Sequence, residues 1–386
     1  MKVMNNNLNS VKYPRRVLIR SGMTTLGKVL LTLLADVKIH GMERLPKKGP
    51  VILAGNHAAA LEAVMMAVYN PGMVEFIGNG DIPFDPYYAF IVKAYDLIPV
   101  NRGNLDRQGL NKALSILEQG GILGIFPEGG IWDPAQMGAQ IGAAWLSYRS
   151  QAPIIPVGFG GIRDGLQKAI KFKRPRLVMN VGEIIPPVTL GDNGLSLKKS
   201  LEQSANEVLE KIKALVPEED LRLYNRKVDE RYELKVSVYD DQAEANIPLP
   251  KNLQLKYGSA YAHFLYNPTM LDVLVRNLHL PLCPLKAVNR RTDLDPLISA
   301  WDAILDYLKV NPGYFTYRFG VDEGLSVEKA IKELHQLAAW AKENHFALTL
   351  NPIYRYRNAN TGAKVIERGG CYPNSMRSPM KKGLLG

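Results

Sequence analysis

Four stretches of this sequence run from apolar residues straight into residues able to do chemistry. In the first, Val51–Ala54 leads to Gly55, Asn56 and His57, and Glu62 follows five residues after the histidine. A neutral imidazole near a carboxylate is the arrangement of a general base. The acid fixes the tautomer and stabilises the imidazolium that forms. Taken alone, a histidine at a strand end is more often structural. In the second, Leu97–Val100 runs into Asn101 and Arg102. A guanidinium can grip a phosphate through two parallel hydrogen bonds, or simply be solvated. In the third, Gly124-Ile125-Phe126-Pro127-Glu128-Gly129-Gly130 breaks an apolar run at proline and presents a carboxylate between Pro127 and Gly129. That carboxylate can accept hydrogen bonds from substrate hydroxyls, or be an ordinary turn residue. In the fourth, Pro153-Ile154-Ile155-Pro156-Val157 precedes Gly158-Phe159-Gly160-Gly161. Two prolines indicate an edge or irregular strand. The glycines lack the Lys-Ser/Thr of a phosphate loop and the spacing of a dinucleotide fingerprint.

The elements that must position these residues alternate. Candidate strands are Val51–Ala54, Val74–Gly78, Leu97–Val100, Ile122–Phe126, Ile154–Phe159 and Leu177–Val181. Helical patterns lie between them. One is Ala58–Tyr69, stopped by Asn70-Pro71-Gly72; another carries Leu110, Ala113, Leu114 and Leu117 and stops at Gly120-Gly121. Alternating strand and helix predicts an α/β fold with a mostly parallel sheet flanked by helices. In such folds chemistry collects just past the carboxyl ends of strands. After about residue 190 the texture changes. Leu197–Leu215 is helical and charged, Pro217-Glu218-Glu219-Asp220 reads as a break, and the remainder reads as α+β. Helical periodicity marks Leu297–Val310 and Ser326–His345, and a hairpin is expected between Ala347–Tyr356 and Ala363–Glu367. No internal repeat is evident.

At 386 residues the chain has room for one large or two ordinary domains and for a proper core. Apolar residues at 46% and charged residues at 22% are globular values, which argues against disorder along most of its length. Cys283 and Cys371 stand alone, with no second Cys or His at metal spacing, so a disulfide scaffold and a zinc module are set aside. The net charge of +11 asks for an anionic partner: nucleic acid, a membrane surface or a phosphorylated small molecule. That charge is local. Residues 1–50 hold ten Lys and Arg against Asp36 and Glu43, and residues 163–176 hold six against Asp164. Everything else is close to neutral.

No apolar run approaches the roughly 20 residues that span a bilayer, and the N-terminus lacks the order of a signal peptide. At helical period, Ile19, Met23, Leu26, Leu30, Leu33/Leu34 and Val37 form an apolar stripe. Arg16, Arg20, Thr24, Lys28, Thr32 and Asp36 form the opposite one. This pattern fits an interfacial helix, and equally a surface helix packed on its own domain.

Taken together, the four stretches resemble the glycerolipid acyltransferase family of the lysophosphatidate acyltransferase (PlsC) type. That family has N-H-x-x-x-x-D, a strand ending in Arg, F-P-E-G, and a proline-containing apolar strand. Here they read Asn56-His57…Glu62, Val100-Asn101-Arg102, Phe126-Pro127-Glu128-Gly129 and Pro153-Ile154-Ile155-Pro156. The resemblance covers about residues 15–190. It implies a fold like that of the glycerol-3-phosphate and lysophosphatidate acyltransferases. It implies transfer of a fatty acyl group from acyl-CoA or acyl carrier protein to the hydroxyl of a lysophosphatidic acid-like acceptor, in phospholipid biosynthesis. His57 would be the base and Glu62 its orienting acid. Arg102 would hold the acceptor phosphate, Glu128 its glycerol hydroxyl, and Gly129 would allow close approach. Pro156 would shape the pocket, and Asn56, Phe126 and Pro127 would complete the substrate site. The thioester is already activated, so neither a cofactor nor a metal is implied. Two departures matter. Glu62 stands where the family has Asp, and Gly130-Ile131-Trp132 stands where it commonly has Thr-Arg-Ser. They leave room for another lipid acceptor or for a catalytically weak lipid-binding homologue.

The sequence thus divides into an N-terminal membrane-associating helix region (1–40), an acyltransferase domain (41–195), a helical linker (196–220) and a C-terminal α+β domain (221–386). The expected partners are membrane lipids and the thioester donor, not nucleic acid, because Phe172 is the only aromatic among the cations of 163–176. The expected place is the cytoplasmic face of a membrane, as a peripheral or monotopic protein. Oligomeric state is left open.

Overall fold

A computed structural model describes residues 10–80, 83–100, 106–129, 139–163, 165–189, 195–221, 228–286, 288–358 and 364–368. The chain forms two compact units, residues 1–80 with 90–226 and residues 81–89 with 227–386.

The first unit is an α/β layer structure. Its elements are α1 (Val17–Leu34), β1 (Asp36–His40), β2 (Val51–Gly55), α2 (Leu61–Tyr69), β3 (Val74–Asn79), α3 (Pro86–Tyr95), β4 (Ile98–Val100), α4 (Arg107–Glu118), β5 (Ile122–Ile125), α5 (Gly142–Ser150), β6 (Ile154–Gly160), α6 (Gly165–Ile170), β7 (Arg176–Val181), α7 (Leu197–Lys213) and the short α8 (Glu218–Leu221). The seven strands are ordered β1-β7-β6-β2-β5-β3-β4. Every pairing is parallel except β6 with β7. Strands buried on both faces read as unbroken apolar runs, and β2 shows why. Val51 and Leu53 point into a core built with Leu31 of α1 and Met65 and Met66 of α2. Ile52 and Ala54 point into a second core with Ala113 and Ile116 of α4, Leu146 of α5 and Ile212 of α7.

This topology sets one edge apart. The carboxyl ends of β2 through β6 share it. Because β7 runs against β6, and β1 pairs in parallel with β7, the amino ends of β1 and β7 also lie there, with Asp36 opposite Arg176.

Several expectations change here. Residues 1–40 are not a separate region: β1 is a strand of the sheet, and α1 packs on α2 with Leu31 and Ala35 in the core. Residues 196–220 are not a linker, since Leu201, Ala205, Val208 and Ile212 of α7 close the second core. The strand with two prolines, β6, is interior, between β7 and β2. It tolerates Pro156 because pairing with β7 begins only at Val157, and there Gly182 N–H donates to the Pro156 carbonyl at 2.8 Å.

The largest change concerns α1. Its inward face carries Arg20, Thr24, Gly27 and Leu31 with Met23 packed beside them, one residue round the helix from the expected apolar stripe. A side chain at Gly27 would press on Val68 of α2. Arg20 is 1% exposed and pairs with the fully buried Glu75 of β3, with one contact at 2.9 Å. Its Nε donates to the Tyr95 carbonyl at 2.9 Å, and its guanidinium lies 4.6 Å over the Tyr95 ring. Arg15 donates to the same Glu75 at 2.9 and 3.1 Å and also pairs with Asp96. Arg16 reaches Asp96 at 3.1 Å. Three of the cations counted toward an anionic partner are thus spent inside the protein. What α1 exposes instead is apolar: Leu18, Ile19, Leu26, Val29, Leu30 and Leu33. Over its 18 residues it is long and apolar enough, by length and composition, to cross a membrane.

The second unit is α+β. An antiparallel sheet of order β11-β10-β8-β9 comprises β8 (Val228–Asp240), β9 (Ala245–Ile247), β10 (Ala347–Asn358) and β11 (Lys364–Arg368). Its helices are α9 (Gly258–Leu265), α10 (Pro268–Leu278), α11 (Leu282–Lys286), α12 (Leu294–Val310), α13 (Gly313–Phe319) and α14 (Val321–Glu343). The core surrounds Trp301, whose indole N–H donates to the Tyr261 hydroxyl at 3.1 Å. The hairpin of β10 and β11 has the expected antiparallel pairing. The long β8 was not anticipated.

Candidate active site

The site begins where β2 ends. Gly55 is the last residue of β2, and a Cβ there would lie 2.8 Å from the Phe159 ring of β6. Glycine lets the two strand ends close up. Asn56 then bridges them. Its Oδ1 accepts from Phe159 N–H at 2.7 Å, and its Nδ2 donates to the Phe159 carbonyl at 3.2 Å. The side chain is 2% exposed and acts as one more rung of the ladder. It was expected among the substrate contacts; the geometry makes it a positioning residue. Replacing Asn56 by Ala leaves both Phe159 groups buried and unpaired, which costs about 1–3 kcal/mol. We expect a drop in the thermal midpoint and in kcat, with KM nearly unchanged.

His57 follows, and three contacts fix it. Its main-chain N–H donates to Glu128 Oε2 at 2.6 Å. Its ring stacks on Phe126, with centroids 4.2 Å apart and planes 14° from parallel. Its Nδ1 lies 4.0 Å from Glu62 Oε2, just beyond a hydrogen bond. Phe126 is backed in turn by Phe76 at 6.4 Å, also stacked. Phe126, expected to touch substrate, is therefore the platform of the imidazole.

Glu62 sits in the first turn of α2 and is fully buried. Its carboxylate turns back to accept from the N–H groups of Ala58 and Ala59, the latter at 2.9 Å. The carboxylate thus closes the turn that leads into α2, and the helix N-terminus favours the charge. Burial nevertheless dominates. It pushes the carboxyl from its ordinary 4.5 up to about 8, with the negative charge of Glu128 adding to the rise and main-chain N–H groups opposing it. The folded protein therefore keeps a proton on Glu62 at pH values where the unfolded chain has lost it. Stability falls as pH climbs from about 4.5 to 8 and levels off above. We expect the thermal midpoint of Glu62→Gln to depend less on pH than wild type across pH 5–8.

Glu128 and Gly129 come from the turn after β5. Gly129 has φ +75°, a left-handed conformation that a side chain would strain, and its N–H closes the turn on the Phe126 carbonyl at 3.0 Å. The Pro127 carbonyl accepts from Gln140 N–H at 2.7 Å. Glu128 is 2% exposed. One of its oxygens holds the His57 main chain, so the third block anchors the first.

The sheet brings Asn56, His57, Glu62, Phe126, Pro127, Glu128 and Gly129 to one edge. Pro156 does not reach that rim; it is buried in β6 opposite Ala54. Arg102 lies outside the described residues. Among the described residues, no three His, Cys, Asp or Glu side chains gather as a metal site. A histidine on an aromatic platform beside a buried carboxylate can take a proton from an alcohol and return it to a leaving group.

Comparison with known proteins finds the following similarities. The acyltransferase family model matches residues 36–160. A 1-acyl-sn-glycerol-3-phosphate acyltransferase of Bacillus subtilis is 24% identical over 157 residues, which is 40% of this chain and 77% of that protein. One of Borreliella burgdorferi is 30% identical over 100 residues, 25% of this chain and 40% of that protein. Among solved structures, the 1-acyl-sn-glycerophosphate (LPA) acyltransferase PlsC of Thermotoga maritima is 18% identical, with a TM-score of 0.39 over 55% of this chain and 84% of that one.

Proposed function

We propose that this chain, whose residues 36–160 match the acyltransferase family model, is a PlsC-type O-acyltransferase that acylates lysophosphatidic acid in phospholipid synthesis. The donor is a fatty acyl thioester, acyl-CoA or acyl carrier protein. The His57 imidazole removes the proton of the acceptor hydroxyl as its oxygen bonds to the thioester carbonyl carbon. Glu62, 4.0 Å away, stabilises the imidazolium. The tetrahedral intermediate expels the thiolate, which takes the proton from His57, leaving ester and free thiol. The protein needs only to align the reactants and supply the base, because the thioester is already activated. Glu128 keeps the base in place, and Arg102 receives the acceptor phosphate.

The observation that carries this reading is the convergence of His57, Glu62, Phe126 and Glu128 at the carboxyl edge of β2 and β5. The acceptor and product are lipids, and α1 exposes a row of large apolar side chains. The reaction therefore belongs at a membrane surface, and we place it on the cytoplasmic face. The test is to follow thiol release from purified protein with each donor and a panel of lysolipids, with product mass analysis. Release with lysophosphatidic acid supports the proposal. Silence with every lysolipid and both donors refutes it.

A further inference from the structure

The connection from β6 to β7 leaves and re-enters the sheet at the edge that holds His57. Its tip is a well-made turn. Lys171, Phe172 and Lys173 N–H groups donate to the carbonyls of Gln167, Ala169 and Lys168 at 2.9–3.2 Å. Phe172 and Arg174 adopt left-handed φ values of +55° and +39°, which non-glycine residues rarely do. The strained turn has a definite result: Phe172 is 80% exposed and Ile170 is 62% exposed. Around them Lys168, Lys171, Lys173, Arg174 and Arg176 are exposed as well. Two described acidic groups nearby are already engaged: Asp36 pairs with Lys38 at 3.2 Å, and Asp220 accepts from Gly161 N–H at 2.9 Å. Arg176 lies opposite Asp36, two residues after the end of α1 at Leu34, so the turn and the carboxyl end of α1 both lead to the same edge of the sheet.

We propose that the 168–176 turn is an apolar wedge in a basic collar that seats on an anionic lipid bilayer, alongside the exposed face of α1. Phe172 and Ile170 enter the headgroup region while the cations meet lipid phosphates. The inference rests on the acyltransferase reading, since it lets the lipid acceptor reach His57 from the edge that touches the bilayer. An acidic carrier protein would answer the cations but leave the apolar row from Leu18 to Leu33 uncovered. A flat lipid surface covers both.

The test uses the full chain and co-sedimentation with vesicles of phosphatidylglycerol and phosphatidylcholine, or phosphatidylcholine alone. Wild type should prefer the anionic vesicles. Phe172→Gly and Phe172→Ala should each lower affinity roughly tenfold. Phe172→Gly should meanwhile keep or raise the thermal midpoint, because glycine relieves the left-handed backbone; a side chain that merely packs would lower it. Neutralising Lys171, Lys173 and Arg174 to Gln should cost about fivefold per charge on anionic vesicles and nothing on phosphatidylcholine. Turnover of a water-soluble short-chain lysophosphatidate with acyl-CoA should be unchanged in all of them. That readout separates a failure of this wedge from a failure of the acyltransferase reading. Wild-type vesicle affinity in the Phe172 and cation variants would overturn the proposal. So would normal vesicle binding with turnover lost only for the carrier-protein donor, which would make the turn a protein dock.

Discussion

His57→Ala lowers acyl transfer by about three orders of magnitude, within the range of 10²- to 10⁴-fold that a positioned general base supplies. The substitution removes the imidazole that accepts the hydroxyl proton and later hands it to the leaving thiolate. It leaves the fold intact, because the contact that secures the loop uses the main-chain N–H of residue 57 toward Glu128. Circular dichroism and the thermal midpoint should therefore match wild type, while kcat falls and KM moves little. His57→Gln keeps bulk and hydrogen-bonding ability but no basicity and should be nearly as slow. Turnover within tenfold of wild type in either variant would remove His57 from the chemistry. The pH dependence adds a second reading of the pair. The ionised form of Glu62 is the one that stabilises an imidazolium, and burial holds that carboxyl up to about 8. Wild-type turnover should climb from pH 7 to 9, whereas an isolated imidazole would give a plateau above roughly 6.5. In Glu62→Gln that climb should vanish with the titrating group.

Arg20→Ala removes a large part of the stability margin of the first unit. Arg20 and Glu75 are a buried pair, 1% and 0% exposed, and removing one partner leaves the other charged and unsolvated. Breaking such pairs costs about 3–5 kcal/mol, against a typical margin of 5–15. Arg15 still reaches Glu75 and limits the loss to the lower part of that range. Chemical denaturation should show a lower midpoint with an unchanged slope. The double variant Arg20→Met with Glu75→Leu should recover most of the loss, since apolar replacements fill the same space without stranding a charge. A double variant no more stable than the single one would mean that Arg20 acts by packing on Tyr95 rather than by pairing.

Much of this was legible in the residues, for a physical reason. Six strands of the first sheet stand out as short, largely apolar runs, and α2 and α4 carry clear stop signals. The edge that holds His57 and Glu128 follows from the alternation of strands and helices. What was not legible depends on partners far along the chain. Nothing local says that Arg20 pairs with Glu75, 55 residues away, so α1 read as a basic amphipathic helix. Nothing local says that Asn56 spends both ends of its amide on Phe159, 103 residues away. The strand β1 is five residues of mixed polarity and takes its identity from β7. By contrast β8 did carry a signal: Tyr232, Leu234, Val236 and Val238 alternate with polar residues at the period of two that marks a half-buried strand.

The pairing of β1 with β7 also bears on how the chain is made. Asp36 must wait for Arg176, 140 residues later in synthesis, before the outer strand of the sheet can form. At about 5–20 residues per second, that is roughly seven to thirty seconds on the ribosome. Through that interval an 18-residue apolar helix hangs from an unfinished sheet. Whatever receives it first, a chaperone or a bilayer, is met before the enzyme has closed. On the proposed membrane reading, lipid contact becomes a step of biogenesis, begun by the nascent chain and kept by the mature one.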